Sequence, residues 1–226
     1  MSATGSRAAV MDRVRAATGD GKSADAYNAL TRTYRTQGKL SDEQRVALLI
    51  ERLCEYDADV AVCEPDAVEA AIATQIAGNG RRVLVAPEGL PEEWLIAGCD
   101  WMVDHGLSHE EIEQAQGVVT AATCAIAESG TIVLHHAPSE GRRVLTLLPD
   151  WHLCVLRTSQ VVETLPEYFA RCAAPPALAT FISGPSATAD IEMTRIKGVH
   201  GPRFLNVIVV RDQQGEGIDR AIRDLL

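Results

Sequence analysis

Short apolar runs that alternate with capped helices constrain this chain more than any other feature. "DVAVC" (59–63), "RRVLVAP" (81–87), "WHLCVLRT" (151–158), "LATFISG" (178–184) and "FLNVIVV" (204–210) read as strands. Helical stretches separate them. In "SDEQRVALLIERLCEY", Ser41 and Gln44 form a capping box, and Val46, Leu49, Ile50 and Leu53 recur at helical spacing. "PDAVEAAIATQIAG" opens on Pro65 and closes on Gly78, and "SHEEIEQAQ" has Ser108 as its cap and Glu111 at the box position. "PEEWLI" predicts a turn or two of helix, "DWMVDH" (100–105) a strand, "VVETLPEYFARC" a helix and "TADIEMTRIKG" a helix. "ATCAIAESGTIVLHH" reads as two short strands broken at Ser129-Gly130. Strands apolar on both faces, each followed by a helix, predict an α/β fold with a mostly parallel sheet and helices on both faces. Ligands in such sheets bind beyond the carboxyl ends of the strands, so the loops there are the places to search.

Residues 8–17 predict a short amphipathic helix, and residues 18–40 are polar and turn-rich. The expected organisation is therefore an N-terminal helix and extended arm over 1–40 and one α/β domain over 41–226. The 226 residues, 46% of them hydrophobic, suffice for a sizeable core. The net charge is −10, with Lys and Arg scattered, which argues against a nucleic-acid or anionic-membrane surface. No apolar run has the length of a membrane span or a signal peptide, so the expectation is a cytoplasmic protein. No two of the six cysteines are closer than nine positions, so there is no C-x-x-C clip for zinc or iron–sulfur, and buried reduced thiols are expected. His135 and His136 are adjacent and point to opposite faces of a strand, so no metal site is expected there. Neither a G-x-G-x-x-G nor a Walker lysine motif is present.

Three loops are chemically rich. In "AESGTIVLHH", Glu128 follows a strand and precedes Ser129, Gly130 and Thr131. The glycine there lets backbone amides form an anion nest, or the segment is a tight turn with Glu128 in solvent. In "FISGPSATADIE", Gly184-Pro185 ends a strand, and Ser186 or Thr188 can cap the next helix, whose first N–H groups favour an anion. Asp190 and Glu192, two positions apart, cannot share a face of that helix. In "KGVHGPRF", His200 and Arg203 flank a Gly201-Pro202 turn and supply positive charge opposite those carboxylates.

"AIAESGTIVL", "SGPSATADIE" and "GVHGPR", in this order and spacing, together resemble the LUD-domain family. The resemblance is strongest from about 117 to 210. It implies a Rossmann-like fold similar to the sugar-phosphate isomerase and CoA-transferase superfamily. It also implies a role in oxidation of L-lactate to pyruvate beside two iron–sulfur partners, the lactate utilisation proteins A and B. The clusters would then sit in the partners, and this chain would hold no cofactor of its own. On this resemblance the three loops form one pocket. Arg203 would hold the carboxylate of lactate or pyruvate, while Ser129, Gly130, Thr131, Gly184, Ser186, Thr188 and Glu192 line the site. Glu128, His200 and Asp190 are the candidate proton-transfer or nucleophilic groups. Glu128 sits where a CoA transferase of similar fold has its nucleophilic carboxylate, so a stand-alone isomerase or transferase is the alternative. A non-catalytic assembly or regulatory subunit is the third reading.

Overall fold

The computed structural model describes residues 3–18, 29–31, 33–172, 174, 176–184 and 201–212. It divides into two units, Met1–Arg35 and Thr36–Leu226. The first contains helix α1 (Ala3–Thr18), longer at both ends than the sequence suggests, with Val10, Met11 and Val14 exposed along it.

In the second unit the periodicity of 41–56 becomes α2 (Asp42–Glu55), with the expected Ser41–Gln44 capping box in place. Its Val46, Leu49, Ile50 and Leu53 are all buried, each such side chain contributing roughly 1.5–3 kcal/mol. β1 (Asp59–Cys63) leads through a 3-10 turn at Pro65–Ala67 into α3 (Val68–Asn79). α3 ends one residue beyond the expected Gly78, because Gly80 supplies the left-handed cap at φ 64°. β2 (Val83–Pro87), β3 (Asp100–Asp104) and α4 (His109–Glu113) follow, α4 with the predicted Ser108–Glu111 box. β4 (Gly117–Ala121) is a buried strand that the sequence reading leaves unassigned. β5 (Cys124–Ile126) and β6 (Thr131–Leu134) are the two strands expected around Ser129-Gly130. β7 (Trp151–Arg157) continues through a 3-10 turn into β8 (Val161–Val162). The helix expected over 161–172 starts later: Thr164 caps α5 (Leu165–Arg171), with Glu167 completing the box. β9 (Thr180–Ile182) and β10 (Phe204–Val210) complete the elements, and the helix predicted over 188–198 lies outside the described residues.

Six strands form one sheet in the order β1-β10-β7-β4-β2-β3, and every pairing in it is parallel. Alternate residues serve opposite layers. Val207 and Val209 pack with α2, whereas Ile208 and Val210 pack with Ile72 and Ile76 of α3. Val85 and Val118 pack under Ile112 of α4. Helices thus cover both faces, as the apolar strands require. The remaining strands form a second sheet, β8-β5-β6-β9, in which β5 and β8 are parallel and the other pairs antiparallel. β5 follows β4 and β8 follows β7 within four residues, so this sheet grows from the carboxyl ends of two central strands.

Two carboxylates, one just past β8 and one in the first turn of α5, fasten the approach to α2. Buried Glu163 accepts from the amides of Lys39 (2.6 Å) and Leu40 (2.7 Å), and Glu167 accepts from Gly38 N (2.8 Å). A side chain on Gly38 would collide with Glu163, 2.2 Å from its Oε2. Past β10, Asp212 accepts from Thr158 Oγ1 (2.8 Å) and Ser159 N (2.9 Å) at the turn leading to β8.

Candidate functional site

The first two motifs meet, and the antiparallel register explains why. β6 and β9 pair Ile132 with Ile182 and Leu134 with Thr180, which carries Gly130 opposite Gly184 two residues beyond the ladder. Both glycines are left-handed, at φ 62° and 60°. The ring of Tyr56, at the end of α2, fills the space beside them. A Cβ on Gly130 would lie 2.7 Å from Arg52 Cβ and 2.9 Å from Tyr56 Cε2; one on Gly184 would lie 2.9 Å from Tyr56 Cε1. The Tyr56 hydroxyl donates to Ser129 O at 2.8 Å. No other residue type satisfies both the backbone angle and the contact at these positions.

Local bonds already engage the groups expected to form an anion nest. Glu128 N donates to Glu163 O (3.0 Å), and Gly130 N donates to Ala127 O (3.3 Å). The hydroxyls of Ser129 and Thr131 pair with each other at 2.7 Å, and Glu128 is exposed on a 3-10 turn. The segment is thus the tight turn of the two readings. Ser186, Thr188, Asp190, Glu192 and His200 lie outside the described residues.

Arg203 does not join Gly130 and Gly184. It precedes β10, whose first residue pairs with Trp151 at the start of β7, so it occupies the amino edge of the parallel sheet. Glu128 lies past the carboxyl edge, and a seven-residue strand spans about 20 Å between the two. Arg203 forms a two-pronged pair with Asp150, Nε to Oδ1 at 2.5 Å and Nη2 to Oδ2 at 2.9 Å, and its guanidinium stacks over Phe204 at 5.9 Å. That pairing holds the Asp150 carboxyl below the usual carboxylate range. Strand direction is what the one-pocket expectation overlooks: a residue before a parallel strand and a residue after one sit at opposite ends of the sheet.

Two cavities do open at or beyond the carboxyl edge. The larger, 880 Å³, is lined by Asp104, His105, His136, Arg142 and Arg143, among others. Buried Asp104 accepts from Gly106 N (3.1 Å), Leu107 N (3.0 Å), Arg142 Nε (2.8 Å) and Arg142 Nη2 (2.7 Å). The Arg142 contact, aided by the two amides, holds the Asp104 carboxyl below its ordinary range. Both nitrogens of His136 are engaged, Nδ1 with Gly141 O (2.8 Å) and Nε2 with Thr180 Oγ1 (2.9 Å). Because a carbonyl can only accept, Nδ1 carries the proton and Nε2 accepts from the threonine, so this ring is a strut of the cleft wall.

The smaller cavity, 430 Å³, lies on the second sheet and is lined by Thr123, Cys124, His135, Tyr168, Arg171 and Cys172, among others. His135 Nε2 and the Tyr168 hydroxyl are 2.8 Å apart, with the rings edge-on. Fully engaged Glu140 sets His135. This buried carboxylate accepts from His135 N (2.6 Å), Ala137 N (3.2 Å) and Thr123 Oγ1 (2.5 Å). Burial pushes the Cys124 thiol up to about 11, so it is a neutral wall of the cavity. Burial also raises Tyr168, with Cys172 and Cys124 beside its hydroxyl adding to the effect. In the sequence His135 stands out only as half of an adjacent histidine pair, and nothing local marks Tyr168 or Arg171 as binding groups. The T-x-x-E signal at Thr164–Glu167 locates the helix that carries them. All six cysteines are free thiols, and among the described residues no group of three or more His, Cys, Asp or Glu is arranged to hold a metal. None of the described helices is long and apolar enough to cross a membrane.

An all-parallel sheet covered on both faces, with a small second sheet grown from its carboxyl edge, defines a Rossmann-like α/β protein. The LUD domain family matches residues 40–210, and the chain belongs to that family. It is 44% identical over 164 residues to lactate utilization protein C of Deinococcus radiodurans, covering 71% of this chain and 76% of the relative. It is 33% identical over 135 residues to lactate utilization protein C of Bacillus subtilis, covering 55% and 56% of the two chains. A crystal structure of a DUF162 family protein from Deinococcus radiodurans superposes with a TM-score of 0.66 at 38% identity, covering 76% of this chain and 99% of that one.

Proposed function

We propose that this chain is a component of a lactate-utilisation system that binds a small 2-hydroxy or 2-oxo acid and works beside iron–sulfur partners. The similarity to lactate utilization protein C of Deinococcus radiodurans carries this reading. The spacing of the cysteines agrees with a division of labour in which electrons leave lactate through clusters held by the lactate utilisation proteins A and B. This subunit then binds, positions or assembles.

The component role is better supported than a stand-alone CoA-transferase-like enzyme. Such an enzyme needs Glu128 as an activated nucleophile close to donors for the developing oxyanion. Here Glu128 is exposed, and the neighbouring amides donate to Glu163 O and Ala127 O.

The test is genetic and biochemical. A strain lacking this chain should fail to grow on L-lactate while growing normally on pyruvate, and a plasmid copy should restore growth. The tagged chain should co-purify with two Cys-rich proteins. Normal growth of the deletion strain on lactate would sink the reading.

A further inference from the structure

We propose that the 430 Å³ pocket on the second sheet is the binding site for the small acid, with Arg171 holding its carboxylate and the His135–Tyr168 pair holding the oxygen on the adjacent carbon. The choice of acid rests on the lactate-utilisation reading; the location rests on the pocket itself. Four observations place it there. Arg171 lines the pocket and has no carboxylate partner among the described residues; its one hydrogen bond is from Nη1 to Ser159 O at 3.3 Å. A guanidinium in that state has a planar fork of donors left for a carboxylate. Second, the 2.8 Å contact between His135 Nε2 and Tyr168 Oη uses only one proton of the pair. If the phenol donates, Nδ1–H of His135 remains; if Nε2 donates, the phenol O–H remains. In the first state Nδ1–H is left for a hydroxyl or keto oxygen; in the second the phenol O–H is shared between the Cys172 thiol beside it and the ligand. Third, the pair is held in place: Glu140 fixes the His135 backbone, and Tyr168 is buried against Phe169 and Phe181 at 5.0 and 5.5 Å. Fourth, the remaining lining residues, Thr123, Cys124, Ser159, Gln160, Cys172 and Ala174, include no carboxylate.

The larger cleft lacks this combination. Its Arg142 is clamped by Asp104, and both nitrogens of His136 are engaged. Arg143, the other guanidinium of that lining, turns Nη1 to Thr146 O (3.2 Å) and Thr146 Oγ1 (3.0 Å). In the smaller pocket an arginine and a proton donor are both left over on neighbouring walls.

The experiment is calorimetry on the full-length protein with L-lactate, pyruvate and propanoate, the last lacking the oxygen on the second carbon. Iodoacetamide labelling of Cys172, read by mass spectrometry, runs in parallel. Lactate or pyruvate should bind at least about tenfold more tightly than propanoate, and either should slow labelling of Cys172. Arg171→Gln should weaken both acids by about tenfold or more. Tyr168→Phe, which keeps the ring, should erase the preference over propanoate while leaving the carboxylate contact. Circular dichroism and thermal unfolding show that each variant is folded. Binding that survives Arg171→Gln, binding without protection of Cys172, or no binding of either acid overturns the pocket assignment. The growth test above is independent of it. Restored growth with no binding here removes the site and keeps the role, whereas binding without a growth defect does the reverse.

Discussion

Replacing Asp104 with Asn tests how the larger cleft is held together. The carboxylate is buried and accepts four hydrogen bonds, two from backbone amides and two from Arg142. In Asp104→Asn, Oδ1 can still accept from Gly106 N and Leu107 N. Its Nδ2 then faces Arg142 Nε, donor against donor, and the ion pair is lost. Hydrogen bonds to a charged group are worth roughly 1.5–3 kcal/mol each. The Arg142 side chain is 47% exposed, so its share sits near the low end. The net cost comes to about 2 kcal/mol, or a fall in Tm of roughly 4–8 °C for a protein of this size. The native Asp104 carboxyl is depressed, so its contribution is fully present above the unfolded value of about 4 and is lost as pH falls toward the lower native value. Thermal unfolding of both proteins should therefore show a constant gap between about pH 5 and 8 that closes in stronger acid. A variant that melts within about 1 °C of the wild type at neutral pH, or a gap that widens in acid, refutes the reasoning.

Other outcomes follow from the same physics. His152 is buried beside Thr120, 2.8 Å from its hydroxyl, and burial pushes it down to about 4. The unfolded chain takes up that proton near pH 6.5, so stability should fall by on the order of 3 kcal/mol as pH drops from 6.5 toward 4. Denaturant titrations of His152→Gln should lack that part of the slope. Gly130→Ala should cost at least about 1–2 kcal/mol from the left-handed backbone alone, and more from the crowding of Arg52 and Tyr56, read as a lower urea midpoint. Burial raises the Cys154 thiol to about 12, so it should resist a thiol reagent in the native protein and react only on unfolding, whereas exposed Cys54 reacts at once.

The parallel sheet was legible because its strands carry apolar residues on both faces and its helices carry their punctuation at Ser41, Pro65 and Ser108. β4 was missed because "GVVTA" has no turn signal separating it from the next apolar run, and only the ladder to β2 and β7 distinguishes it. Val161 and Val162 belong to β8 because pairing with Ala125 and Ile126 outweighs the helical pattern around them. For the site, the glycine turns at 130 and 184 are plain in the sequence, and the β6–β9 register sets them side by side. What the sequence does not show is that both accept the ring of Tyr56, far earlier in the chain. The placement of Arg203 depends on strand direction, and the Arg171 pocket depends on a second sheet that no local pattern announces.

The fastening of Gly38, Lys39 and Leu40 to Glu163 and Glu167 separates two meanings of the word domain. The segment shared with relatives runs from 40 to 210. A chain trimmed to those limits loses Lys39 N, one of the donors to a buried carboxylate, and Gly38 N, the donor to Glu167. At the other end it loses Asp212, which gathers the amide and hydroxyl groups of the 158–160 turn. These ties land on either side of β8, on the turn that leads into it and on the segment that carries the chain from it into α5. The unit of inheritance is therefore shorter than the unit of folding, and an expression clone cut from 36 to 212 keeps intact what the shared limits sever.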